Sequence, residues 1–154
     1  MPEPELPPLP PIRLQELTLD IQHYLTAEYD DISQAAQELP AAIEWANVKL
    51  HELLERRLID KQRIKSVEGK VYFEMLNGLF DQRGYHGKMT NAAVEHAVAM
   101  EPEVVRAHET YAITHGWCVR LQNLMSTLQT KLDIMRSVEA TRRKAFDPDN
   151  ERED

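Results

Sequence analysis

Ten positions restrict this chain more than anything else in it. Val104, Ala107, Tyr111, Thr114, Cys118, Leu121, Met125, Leu128, Leu132 and Met135 follow one another at alternating spacings of three and four. That pattern puts one side chain per turn on a single helical face and sustains a coiled-coil-like seam over more than four heptads. Trp117, Leu124 and Val138 widen its lower part, and Thr114 and Cys118 weaken it. Pro102 stands where the first turn of a helix accepts a proline.

Two further stretches carry helical periodicity. Leu14, Leu17, Ile21, Tyr24, Leu25 and Ile32 share a face, which predicts a helix from Leu14 to Glu38 stopped by Pro40. A second helix is expected from Ala41 to Leu79, with Ile43, Ala46, Leu50, Leu53, Leu54, Ile64, Val67, Val71 and Met75 as its apolar stripe. Gly84 and Gly87 mark a turn over residues 81–88, and Thr90 is placed to cap a short helix containing Ala93, Val94, Ala97 and Val98. Period-two alternation never persists, so strands have no support. The expected fold is all-α: long antiparallel helices with coiled-coil-like seams plus shorter helices, with self-association into a ring.

The ends read differently. Residues 1–13 hold prolines at 2, 4, 7, 8, 10 and 11, the composition of an extended arm, and residues 147–154 form an acidic tail. A single helical domain is expected between them, over residues 14–146. The one cysteine, Cys118, excludes an internal disulfide and suits a reducing compartment. No apolar run approaches the roughly 20 residues that cross a bilayer, and no signal-peptide pattern opens the chain. A cytoplasmic protein without a membrane partner is the expectation.

The net charge is −8, but it is unevenly distributed. Residues 1–55 hold eleven acids and two Lys or Arg, whereas residues 56–146 hold fifteen bases and ten acids. The cations concentrate on the second helix. Lys49, Arg56, Arg63 and Lys70 form a seven-spaced row; Arg57, Lys61 and Lys65 form a four-spaced column. A like-charge column is unfavourable in an isolated helix by a few tenths of a kcal/mol per pair, and a polyanion lying along it relieves that repulsion. Glu52, Asp60 and Glu74 are spaced to pair with Arg56, Arg63 and Lys70, which reads the row as ordinary surface charge. Beyond the helix, Arg83, Tyr85 and Lys88 continue the alternation of bases and aromatic rings begun by Lys70, Tyr72 and Phe73, a pattern suited to single strands.

Catalytic and metal-binding patterns are missing from the sequence. His51 to Glu55 reads HELLE and lacks the second histidine of a zinc site. The five glycines form no phosphate-binding loop, and His108 and His115, two turns apart, read as ordinary surface or seam histidines without a third ligand. No enzyme, cofactor or metal is expected.

The order of segments carries a resemblance. A helix with a Trp and interleaved bases leads to a glycine-bearing turn, then to Lys88-Met89-Thr90 and a short alanine-rich helix. Met100-Glu101-Pro102-Glu103-Val104-Val105 follows, then the long helix with Trp117, Cys118 and its Leu/Met seam, ending in Lys131-Leu132-Asp133-Ile134-Met135-Arg136. Over about residues 20–146 this resembles the UvsY-type recombination mediators of tailed phages. The resemblance implies a helical protein that oligomerises into rings, binds single-stranded DNA and helps load a recombinase onto strands covered by single-strand-binding protein. It implies DNA-binding bases late in the second helix: Lys70 matches the first such position, and Tyr72 occupies the second, where its ring offers stacking. It also implies assembly through the C-terminal helix.

The expected DNA-binding set is therefore Arg56, Arg57, Lys61, Arg63, Lys65, Lys70, Tyr72, Arg83, Tyr85 and Lys88. The expected oligomerisation set is Tyr111, Trp117, Cys118, Leu121, Leu124, Met125, Leu128, Leu132 and Met135. The competing expectation is a helical structural or adaptor protein, chaperone-like in one variant, whose seams bind protein and which does not touch DNA.

Overall fold

The computed structural model describes residues 14–28 and 31–146, so the proline-rich arm and the acidic tail lie outside the described residues. Every regular element among the described residues is helical: α1 Leu14–Thr26, α2 Ile32–Glu74, α3 Phe80–Gln82, α4 Asn91–Met100 and α5 Pro102–Ala145. The all-α expectation holds. None of these helices is long and apolar enough to cross a membrane.

The first helical boundary differs from the expected one. α1 stops at Thr26, and α2 begins at Ile32, so Pro40 lies inside α2 instead of ending its predecessor. Asp31 supplies the reason, because its Oδ1 accepts the Gln34 N–H at 2.6 Å and satisfies a donor that a starting helix leaves open. Proline removes one backbone donor and crowds the carbonyl four residues earlier. Both Pro40 and Ala36 are exposed, so the turn that lacks this bond lies at the surface.

The other end of α2 is set by Gly78. Regular α-geometry gives way at Met75–Leu79 to a wider π-type turn, in which Asn77 leaves helical backbone angles and Gly78 takes φ 113°. A side chain at that φ would be strained. Asn77 Nδ2 donates to the Phe73 carbonyl at 2.7 Å, meeting an acceptor released by the kink. After α3 the chain turns through Gly84 and Gly87. Thr90 then caps α4 as expected, its Oγ1 accepting the Ala93 N–H at 3.2 Å.

The described residues form two compact units, one from those up to Ala42 together with those from Thr127 onward, the other from Ile43–Ser126. In the first, Leu17 and Ile21 of α1, Ala35 and Leu39 of α2, and Leu128 and Leu132 of α5 are buried. Lys131 Nζ there donates to the Leu25 carbonyl at the end of α1, at 3.0 Å.

In the second unit α2 and α5 run antiparallel. Polar pairs show it, since partners fall along α2 as they rise along α5: Lys70 with Glu103, Glu68 with His108, Asp60 with Thr114, Arg57 with His115. Val71, Met75, Phe80, Val94, Ala97, Val98 and Val104 close a core where α4 joins these helices. Burying each larger side chain of this group contributes on the order of 1.5–3 kcal/mol.

Gly69 stands in the middle of α2 with nothing within 4 Å of the space a Cβ would fill. Glycine in a helix interior is unfavourable by roughly 0.5–1 kcal/mol relative to alanine. Gly69→Ala is therefore expected to raise stability by about that amount, read as a higher urea midpoint at unchanged m-value; a lower midpoint would show that the backbone there needs glycine.

Candidate nucleic-acid interface

The ten residues expected to meet DNA separate into three groups. The first faces inward. Arg56 is one-fifth exposed and sits 3.6 Å from Asp60, a carboxylate buried between α2 and α5. The expected partners, Glu52 for Arg56 and Asp60 for Arg63, are thus exchanged: Glu52 pairs with Lys49 at 3.1 Å, and Asp60 with Arg56. Arg57 leans on α5, its Nη1 3.3 Å from His115 Nδ1. Tyr72 is half-buried against the α2–α4 core, and Tyr85 stacks on Phe80 with ring centroids 5.1 Å apart. Neither ring stands free as a stacking platform.

The second group is exposed but paired. Lys70 lies between Glu74, at 3.9 Å, and Glu103, at 3.5 Å. Arg83 grips Glu101 with both arms, Nε to Oε1 at 2.9 Å and Nη2 to Oε2 at 3.0 Å. Bidentate geometry of this kind is the strong form of a charged hydrogen bond, and Glu101 is buried at the α4–α5 junction. Arg83 therefore ties the glycine turn to that junction.

The third group is exposed and, among the described residues, makes no ion pair: Lys61, Arg63, Lys65 and Lys88. Its geometry is selective. Lys61 and Lys65 are one turn apart on one face, about 6 Å along the axis. Arg63, two residues from each, lies roughly 200° round the helix.

Acids decide how open the Lys61–Lys65 face is. Between residues 57 and 73 α2 carries five bases and two acids, Asp60 and Glu68. Both acids turn toward α5. Asp60 Oδ2 accepts the Thr114 hydroxyl at 2.7 Å, and Glu68 Oε1 lies 2.9 Å from His108 Nε2. Neither acid forms an ion pair with Lys61 or Lys65, which make none among the described residues. Beside Lys65, an open groove of about 470 Å³ runs between α2 and α4, lined by Glu68, Gly69, Tyr72, Glu95, Val98 and Ala99.

The residues expected to bring copies together are largely occupied within the protomer. Trp117, Cys118, Leu121, Leu124, Leu128 and Leu132 are buried, and Tyr111, Met125 and Met135 are half-buried. Arg120 lies over the Trp117 ring at 4.8 Å. Burial pushes the Cys118 thiol up from its ordinary value, against the opposing influence of the Arg57 guanidinium. It therefore stays protonated at neutral pH and is a poor nucleophile. Ile113, Val119, Ile134 and Val138 remain exposed on α5. His108 and His115 have separate partners, Glu68 and Arg57, with His115 also stacked on Tyr111.

The buried polar set Asp60–Thr114–Arg56 escaped the sequence reading, although a signal was present. Asp60 lies seven residues after Leu53 and seven before Val67, so it belongs to the apolar stripe. Compared with protein-family models, with curated proteins and with solved structures, the chain matches none.

Proposed function

We propose that this protein is a non-enzymatic recombination mediator. It binds single-stranded DNA as a homo-oligomer and helps load a recombinase onto strands coated by single-strand-binding protein, in the cytoplasm of a phage-infected bacterium. The observation that carries the reading is the Lys61–Lys65 face, exposed and without an ion pair among the described residues, where Asp60 and Glu68 have partners on α5. The order of sequence segments, which resembles the UvsY-type mediators, gives that face its biological setting.

The same observation argues for many copies. Two cations per protomer neutralise about two phosphates, which is too few for firm binding in a chain of net charge −8. Repetition of the face around a ring joins weak contacts into one strong one. Exposed Val105, Ile113, Val119, Ile134 and Val138 of α5 are apolar side chains left for contacts between copies.

A second reading, a helical adaptor or chaperone-like protein without DNA binding, is favoured by two exposed apolar side chains, Phe73 at the end of α2 and Leu76 in the π-type turn that follows it. Fluorescence anisotropy with a labelled single strand across a salt series separates the two. The mediator reading expects log K to fall with log[salt] at a slope of about −1.4 for each protomer engaged, with native mass spectrometry showing an oligomer. No binding at low salt favours the adaptor.

A further inference from the structure

The groove beside Lys65 separates charge in an unusual way for a DNA-binding surface. Its rim is cationic, through Lys65 and Lys61 one turn before it, yet its walls carry two carboxylates, Glu68 and Glu95. Glu68 is held by His108. Glu95, exposed on α4, makes no ion pair or hydrogen bond among the described residues. Tyr72 supplies one side wall, half-buried and fixed against the core, and Val98 and Ala99 supply the other. Gly69 leaves the α2 side open, with nothing within 4 Å of its missing side chain.

Phosphates cannot settle between two carboxylates, but they can settle on the lysine rim. A nucleotide has the matching distribution: an anionic backbone and a flat base whose edge carries hydrogen-bond donors. We propose that this groove is a nucleobase pocket, taking one base of the bound single strand while Lys61 and Lys65 hold its phosphates. The inference rests on the mediator reading above and adds base selectivity to it. The volume of about 470 Å³ is ample for one base, and the Tyr72 wall gives it an aromatic neighbour.

The carboxylates determine which base. The exocyclic amino group of cytosine donates to a carboxylate oxygen, a pairing that specifies this base elsewhere; the amino groups of adenine and guanine offer the same donor chemistry. Thymine has no amino group. It flanks its single ring N–H with two carbonyl oxygens, which Glu95 and Glu68 repel. The pocket therefore favours amino-bearing bases and disfavours thymine.

The test compares oligo(dC) with oligo(dT) of equal length, both flexible pyrimidine strands, by anisotropy with the full chain at neutral pH and low salt. The wild type is expected to prefer oligo(dC) by about tenfold. Two variants should bring that ratio close to one. Glu95→Ala removes the carboxylate that His108 does not hold, and the ratio is unaffected by the general gain in affinity from losing an acid. Gly69→Leu fills the groove at a position where a side chain meets no neighbour and helix propensity rises. Equal binding of the two strands by the wild type overturns the pocket, as does a preference that survives both variants. Failure to bind either strand is a different result and removes the mediator reading itself.

Discussion

Replacing Lys61 and Lys65 together by glutamate is expected to lower affinity for single-stranded DNA by at least about a hundredfold at low salt, whereas Arg63→Glu lowers it by less than about threefold. The contrast follows from the helix. Lys61 and Lys65 share a face and make no ion pair among the described residues, while Arg63 sits on the far side of α2. Each lost phosphate contact removes about 0.7 from the salt slope, so the double variant should flatten it by about 1.4 per engaged protomer. The effect is amplified wherever copies bind together. Both lysines are exposed, so the stability change should stay within about 0.5 kcal/mol, and oligomer size by native mass spectrometry should not move. Equal losses for the double variant and for Arg63→Glu would show nonspecific attraction to net charge and would remove the track.

Much of the fold was legible because helices declare themselves locally. The three-and-four spacing of Val104 to Leu132 marks side chains that are buried or half-buried along α5, and Thr90 and Pro102 stand at helix starts as their chemistry requires. The boundary near Pro40 was misread because proline is a strong signal and Asp31 a quiet one. A capping carboxylate begins the helix nine residues earlier than expected, and the proline sits at an exposed turn of it.

The site was less legible, for a reason tied to register. Charge spacing along one helix reveals which groups share a face, but not which face meets another helix. Arg56 and Arg57 looked like members of a surface array and instead lie against α5. Tyr72 looked like a stacking ring and is half-buried in packing with α4. Asp60 is spaced as a local partner for Arg63, yet it pairs with Arg56 and accepts the hydroxyl of Thr114, 54 residues away. Thr114 looked like a flaw in the seam; it is the hydroxyl that a buried carboxylate needs.

That carboxylate is where the fold is most vulnerable. Asp60 is 1% exposed, with Thr114 Oγ1 donating to one oxygen at 2.7 Å and Arg56 Nε 3.6 Å from the other. Arg56→Met leaves a buried charge without its counter-ion and is expected to lower stability by about 3–5 kcal/mol. Asp60→Leu should be milder. Arg56 is one-fifth exposed and can carry its charge toward water along its own stem, and Thr114 keeps the Thr110 carbonyl as an acceptor at 3.2 Å. Making both changes replaces the pair by apolar groups on a stripe already flanked by Leu53 and Ile64. Such replacements are often neutral or stabilising by about 1–4 kcal/mol, so the double variant should regain most of what Arg56→Met loses. Urea unfolding of the wild type, both single variants and the double variant measures this directly as a coupling energy. Strong non-additivity is the expected outcome, because each single change exposes the liability of the residue left behind. Simple additivity would mean that Asp60 does not depend on Arg56, leaving the Thr114 hydroxyl alone to hold a charge between two helices.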